Sequence, residues 1–163
     1  IRARVDRIVR DPQTAAALLP HAAGRRVLAE NLHCTLVFLG AVDAAQRLCL
    51  EDAAALVRAE PFTLTFDRLG YFRRPQVAWL GCTTTPAPLQ ALVTGLGHGT
   101  ASCGFAPEQR PYAVHLTVAR KLRRDPGRLP LMPVDWPVRQ FPLVESISEP
   151  DGAHYRPLRF WDL

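Results

Sequence analysis

The chain has 163 residues, 48 % of them hydrophobic and 21 % charged, enough to bury a core and ordinary for a globular protein. No apolar run approaches the ~18–20 residues that cross a bilayer. Arg2, Arg4, Asp6, Arg7 and Arg10 break up the start, so neither a membrane anchor nor a signal peptide is expected. The chain begins with Ile1 rather than Met, which leaves the true start open. A formal net charge of +5 favours an anionic partner such as nucleic acid or a phosphorylated small molecule. Cys34, Cys49, Cys82 and Cys103 show neither zinc spacing nor the density of a disulfide scaffold. They read as reduced, mostly buried small hydrophobes in a cytoplasmic protein.

In chain order, residues 1–10 could form a first strand, though a heavily charged one. Asp11-Pro12 opens a short helix through Leu19, with Asp11 as N-cap and Pro12 at the first helical position. Gly24-Arg25-Arg26 reads as a basic turn before an apolar run ending at Gly40. Asp43 and Gln46 have the spacing of a capping box, and the helix they open runs to about Ala59. Phe62–Phe66 alternates as a strand, Arg73-Arg74-Pro75 turns, and Gln76–Cys82 is a further strand. Thr85-Pro86 starts a helix carried by Leu89, Leu92, Val93 and Leu96, ended by the loose stretch Gly97–Gly104. Lys121–Pro137, with four prolines, reads as a surface loop. Val138–Ser148 and Tyr155–Leu163 are two final strands joined by a turn at Pro150-Asp151-Gly152.

Two stretches repeat a chemical pattern. Asn31-Leu32-His33-Cys34-Thr35-Leu36-Val37-Phe38-Leu39-Gly40 and Tyr112-Ala113-Val114-His115-Leu116-Thr117-Val118-Ala119-Arg120 both hold His-x-Thr inside an alternating apolar run. In a strand, residues i and i+2 point to one face. His33 would then share a face with Thr35, and His115 with Thr117. The core side would hold Leu32, Cys34, Leu36 and Phe38 in one copy, and Val114, Leu116 and Val118 in the other. A lone strand histidine is usually structural; two copies about 80 residues apart are hard to ascribe to chance.

These motifs resemble those of the two-histidine phosphoesterase superfamily, and most closely its RNA 2′,3′-cyclic phosphodiesterases, historically called 2′-5′ RNA ligases. Glu30–Gly40 is similar to the family's first motif, Val77-Ala78-Trp79-Leu80-Gly81 to its middle strand, and Pro111–Lys121 to its second motif. Leu143–Ser146 and Gly152–Tyr155 are similar to its closing hairpin. The chain departs from the pattern at Asp6 and Arg7, where an apolar strand is usual, and at Cys34, where Leu is usual. The resemblance implies an α+β fold: two pseudo-symmetric α/β lobes with antiparallel sheets around a central cleft, forming one bilobal domain over residues 1–163. It further implies that His33, Thr35, His115 and Thr117 meet across that cleft.

Opening a cyclic phosphodiester needs a base for water and an acid for the leaving alkoxide. Histidine can do either near neutral pH. A threonine hydroxyl on the same face can hold the non-bridging oxygens. No cofactor or metal is called for, and His21, His98 and His154 lack ligand spacing. Arg120 is a further candidate contact for phosphate or RNA; in strict alternation it faces away from His115 and needs a bulge or a strand end to reach in. Tyr155 and Phe38 are candidates to pack on a base or ribose, with the core the more natural place for Phe38. Arg73, Arg74, Arg123, Arg124 and Arg128 could steer RNA, although a solvated basic surface is their default. The leading expectation is a monomeric, cytoplasmic enzyme hydrolysing 2′,3′-cyclic phosphate ends of RNA or nucleotides to 2′-phosphates. The alternatives are the reverse reaction, 2′-5′ RNA ligation, and a non-catalytic module that binds RNA ends.

Overall fold

A computed structural model describes residues 24–127, 131–149 and 152–163. The strand and helix expected within residues 1–19 lie outside them. The described elements are β1 (Arg25–Arg26), a 3-10 turn (Ala29–Asn31), α1 (Ala44–Leu56), β2 (Phe62–Phe66), β3 (Arg68–Phe72), β4 (Val77–Gly81), α2 (Ala87–Ser102), β5 (His115–Arg120), β6 (Val134–Val138), β7 (Gln140–Glu149) and β8 (Gly152–Asp162). This is an α+β fold. Among the described residues no helix is long and apolar enough to cross a membrane. The described residues divide into two compact units: those up to 34, within 64–84 and within 113–136 form the first, and those within 35–63, 85–112 and 137–163 the second.

The first unit is built on a four-stranded sheet in the order β1-β5-β4-β3, with β1 on β5, β5 on β4 and β4 on β3 all antiparallel. One face is apolar and closed: Leu69, Ala78, Leu80, Leu116, Val118 and Ala119 are all buried. The Tyr71 hydroxyl donates to the Leu122 carbonyl at 2.6 Å. β2 and β6 form a separate two-stranded ladder, stapled where Thr65 Oγ1 donates to Asp135 Oδ1 at 2.7 Å.

In the second unit, α1 and α2 pack together and β7 pairs with β8 as a long antiparallel hairpin. Asp43 and Gln46 form the expected capping box, with each side chain accepting from the other residue's backbone N–H. Ala54, Leu92 and Phe141 centre the core, flanked by Leu36, Val57, Leu96 and Trp161. Phe141 and Trp161 stack at 5.4 Å. Glu51 ties α1 to β8 by accepting from Arg47 and from Arg159.

Several expectations change. Arg25-Arg26 is a strand paired with β5, not a turn. β3, Arg68–Phe72 with Gly70 at its centre, was not expected. β6 begins inside the stretch read as a Pro-rich loop; Asp135 is held there by Thr65. α1 stops at Leu56, where Val57 turns extended. α2 instead continues past Gly97 and Gly99 to Ser102. Packing on α1 outweighs the glycine cost of about 1 kcal/mol each: a Cβ on Gly99 would sit 3.0 Å from Ala53 Cβ, and one on Gly95 3.1 Å from Val57 Cγ1.

The first His-x-Thr run is not a strand. Residues 32–40 carry no ladder among the described residues; Leu32 is extended and buried, but residues 33–37 are half-buried without alternation. Alternation marks a tendency, and a strand also needs a neighbour to pair with. Phe38, expected in the core, is 87 % exposed.

The cysteine reading is corrected for one pair. Cys49 on α1 and Cys103 at the end of α2 form a disulfide, with Cα atoms 5.8 Å apart. Their separation of 54 residues hides a pairing that only helix packing brings about. Cys34 and Cys82 are free thiols. Closing a loop of that length removes about 4 kcal/mol of unfolded-chain entropy in the simplest treatment. Reduction, or the double substitution Cys49→Ser with Cys103→Ser, is therefore expected to lower stability by roughly 2–4 kcal/mol. Denaturant midpoints with and without reductant measure this; identical midpoints would show that the crosslink contributes nothing.

Candidate functional site

The candidate site begins on the open face of the four-stranded sheet. β5 alternates in burial from His115 to Val118, with His115 and Thr117 half-buried on one side and Leu116 and Val118 buried on the other. On β4, Gly81 faces His115, Trp79 faces Thr117 and Ala78 faces Ala119. Two consecutive residues of β4 thus span Thr117 to Ala119, and Val118 is the extra residue of a bulge. After a bulge the alternation restarts one position late. Val118 and Ala119 are both buried, and Arg120 returns to the open face opposite Val77. The bulge that Arg120 needed is present, and it puts Arg120 on the face of His115 and Thr117.

Aromatic rings line the same face. Gly70 on β3 pairs with Trp79, and Gly81 lies two residues along β4. A Cβ on Gly70 would stand 2.2 Å from Trp79 Cζ2, and one on Gly81 2.5 Å from Cζ3. Both glycines therefore exist to let the indole lie against the sheet. Arg68 stacks over that indole, its Cζ 5.3 Å from the ring centroid, an arrangement with cation–π attraction. Phe72 packs on Trp79 at 5.1 Å and meets the His115 imidazole nearly at right angles, 5.5 Å between centroids.

Both motif histidines are anchored by the same local device. His115 Nδ1 is 2.9 Å from the Ala113 carbonyl oxygen, and His33 Nδ1 is 2.7 Å from that of Asn31. A carbonyl can only accept, so Nδ1 carries the proton in each ring and donates it to the residue two positions back. Nε2 is then the nitrogen turned away from that carbonyl in each ring.

His33 belongs to the first unit and Thr35 to the second, since the boundary falls between Cys34 and Thr35. Burial, and next the neighbouring Cys82, push the Cys34 thiol up to about 12. Burial and then Asp67 push Cys82 up to about 11. Both stay protonated at neutral pH, so neither is a thiolate nucleophile. Cys82 directly follows the end of β4, where Gly81 faces His115.

In the second unit, the Thr35 carbonyl accepts from the Tyr112 hydroxyl at 3.3 Å. Tyr155 is half-buried on β8 opposite Ser146. The structure thus gathers His115, Thr117 and Arg120 on one face, whereas Thr35 and Tyr155 stand in the other unit. Among the described residues no three His, Cys, Asp or Glu side chains gather as a metal site. Trp79, Phe72 and Arg68, which line the same face, were not among the expected site residues. Their signal was there: a strand tryptophan two residues before a glycine, next to a second strand also broken by glycine.

Gly70→Ala is expected to drive the indole off the sheet and to cost about 1–3 kcal/mol, as overpacking does. Near-UV circular dichroism and a denaturant midpoint check this; unchanged values would show that Trp79 does not rest on Gly70.

The sequence model of the 2′-5′ RNA ligase superfamily matches residues 2–146. The RNA 2′,3′-cyclic phosphodiesterase of Escherichia coli K12 is 35 % identical over 150 residues, 91 % of this chain and 85 % of its own. The protein of that name from Archaeoglobus fulgidus is 30 % identical, covering 82 % and 80 %. A crystal structure of E. coli LigT complexed with 3′-AMP superposes with a TM-score of 0.85 at 32 % identity, over 100 % of this chain and 92 % of that one. By this match in sequence and fold, the chain belongs to the 2′-5′ RNA ligase superfamily.

Proposed function

We propose that this protein is a metal-independent RNA 2′,3′-cyclic phosphodiesterase that opens the cyclic end to a 2′-phosphate. The observation that carries the reading is the twin anchoring of His33 and His115: each has Nδ1 fixed on a backbone carbonyl, which orients both rings alike for proton exchange at Nε2. Relatives of that name at 30–35 % identity over most of the chain support it.

In-line displacement puts the attacking water and the leaving oxygen on opposite sides of phosphorus, so the two histidines start in different protonation states. His115, neutral, takes a proton from water at Nε2 as the oxygen bonds to phosphorus. The bond from phosphorus to O3′ breaks, and His33, protonated, delivers its Nε2 proton to O3′. Each group contributes typically about 10²–10⁴-fold. Thr35 and Thr117 donate to the non-bridging oxygens, while Arg120 and Tyr155 contact the rest of the substrate. The superfamily's description as RNA ligases favours one second reading: the same acid and base run the step backwards and join ends through a 2′-5′ linkage.

Incubation with a 2′,3′-cyclic nucleotide in excess EDTA, without ATP, tests the reading. Turnover to a 2′-phosphate is expected, with a bell-shaped pH profile belonging to the coupled pair. Activity that dies on chelation and returns with a divalent ion would overturn the mechanism. Binding without turnover would make the chain an RNA-end module.

With an activated leaving group, which needs no acid, His33→Ala should recover much of its lost rate and His115→Ala should not. The reverse pattern would exchange the roles. Thr35→Ala and Thr117→Ala should each slow the reaction roughly 10–150-fold, the worth of a hydrogen bond to a charged group, without unfolding the protein. Full rate in either variant would remove that hydroxyl from the site.

A further inference from the structure

Arg25 and Arg120 stand directly opposite each other on β1 and β5. Both are exposed. Residues directly opposite on an antiparallel pair project from the same face with Cβ atoms about 4.5–5.5 Å apart, and like charges there are destabilising. Among the described residues of the sheet nothing offsets this repulsion. β1, β3, β4 and β5 contain Arg25, Arg26, Arg68 and Arg120 and no acidic residue. The ion pairs among the described residues use Arg47, Arg159, Arg110 and Arg156 instead. Asp67, the nearest acid in sequence to β3, is taken up by the Thr83 backbone N–H and hydroxyl.

The position of the pair is as informative as its charge. Because Val118 bulges out, Arg120 is two ladder positions beyond Thr117 on the same face, about 6.6 Å along the strand. That is close to one nucleotide along an extended single strand. A mononucleotide cyclic phosphate carries a single anionic group and has nothing left for a second arginine site. Two guanidiniums side by side match the oxygens of a phosphodiester, each able to donate in a fork.

Building on the phosphodiesterase reading, we infer that Arg25 joins Arg120 in seating the phosphodiester next to the cyclic end, a contact that an RNA strand can make and a free nucleotide cannot. Arg25 is then a specificity residue. It leaves the chemistry at His115 untouched and acts only on substrates that own a second phosphate.

The test compares two substrates, 2′,3′-cyclic AMP and a ten-nucleotide RNA ending in a 2′,3′-cyclic phosphate, with Arg25→Gln, Arg25→Lys and Arg26→Gln. Arg26 pairs with buried Ala119 and serves as the control of equal charge. Arg25→Gln should leave kcat/KM on cyclic AMP within twofold and lower it about tenfold or more on the RNA. It should also reduce the log–log salt slope for RNA by about 0.7. Arg25→Lys should recover part of the loss, and Arg26→Gln should change neither substrate. Equal losses on both substrates, no loss on the RNA, or an Arg26→Gln effect as large as that of Arg25→Gln would each overturn the inference. If the wild type turns over neither substrate, the phosphodiesterase reading itself fails. Binding of the same RNA by fluorescence anisotropy then decides separately: an Arg25→Gln affinity equal to wild type removes the seat.

Discussion

The pairing of β5 with β4 decides what the open face of the first unit can present. Its hydrogen-bonded register sets Thr117 against Trp79 and His115 against Gly81, so the motif residues meet a flat indole and a bare backbone rather than a crowd of side chains. The opposite face is closed by Leu80, Leu116 and Val118, each about 1 % exposed or less. That burial pins the register, because a slip of one residue would send the whole apolar set to the wrong side. Rigidity at the histidine is thus inherited from the core beneath it, at roughly 1.5–3 kcal/mol for each large apolar side chain fully removed from water.

The chemistry asks for two imidazoles whose orientation does not wander. Anchoring Nδ1 on the carbonyl two residues back is inexpensive, since the acceptor belongs to the same stretch of chain. It also explains why the two motifs behave alike although one sits in a strand and the other does not. For His115 a second restraint comes from Phe72, whose ring meets the imidazole edgewise and is itself held by Trp79.

Much of this was legible in the sequence. The capping box at Asp43, the strands at Phe62 and Val77, and the second His-x-Thr strand followed from local rules, because propensity, periodicity and packing agree there. The reading failed where long-range packing overrides local preference. Gly70 and Gly99 look like breakers, yet each is a place where another residue comes close. The Cys49–Cys103 pair depends on two helices meeting. The need for a bulge before Arg120 could be stated from alternation alone, but which residue would bulge could not, because that depends on the partner strand's register. Arg25 carried no signal in the sequence, being one of two adjacent arginines with no indication of which faces the motif.

The disulfide has a topological consequence. Both of its cysteines lie in the second unit, but the covalent ring they close contains β2, β3 and β4, including the strands on which Trp79 and Phe72 are carried. The exposed turn Arg73-Arg74-Pro75 is inside that ring. A protease that cuts there while the crosslink is intact leaves two pieces still joined as one molecule, with the histidine of each motif on a different piece. Only in the reduced protein does the same cut leave the N-terminal piece, with His33, without a covalent link to the C-terminal piece, with His115.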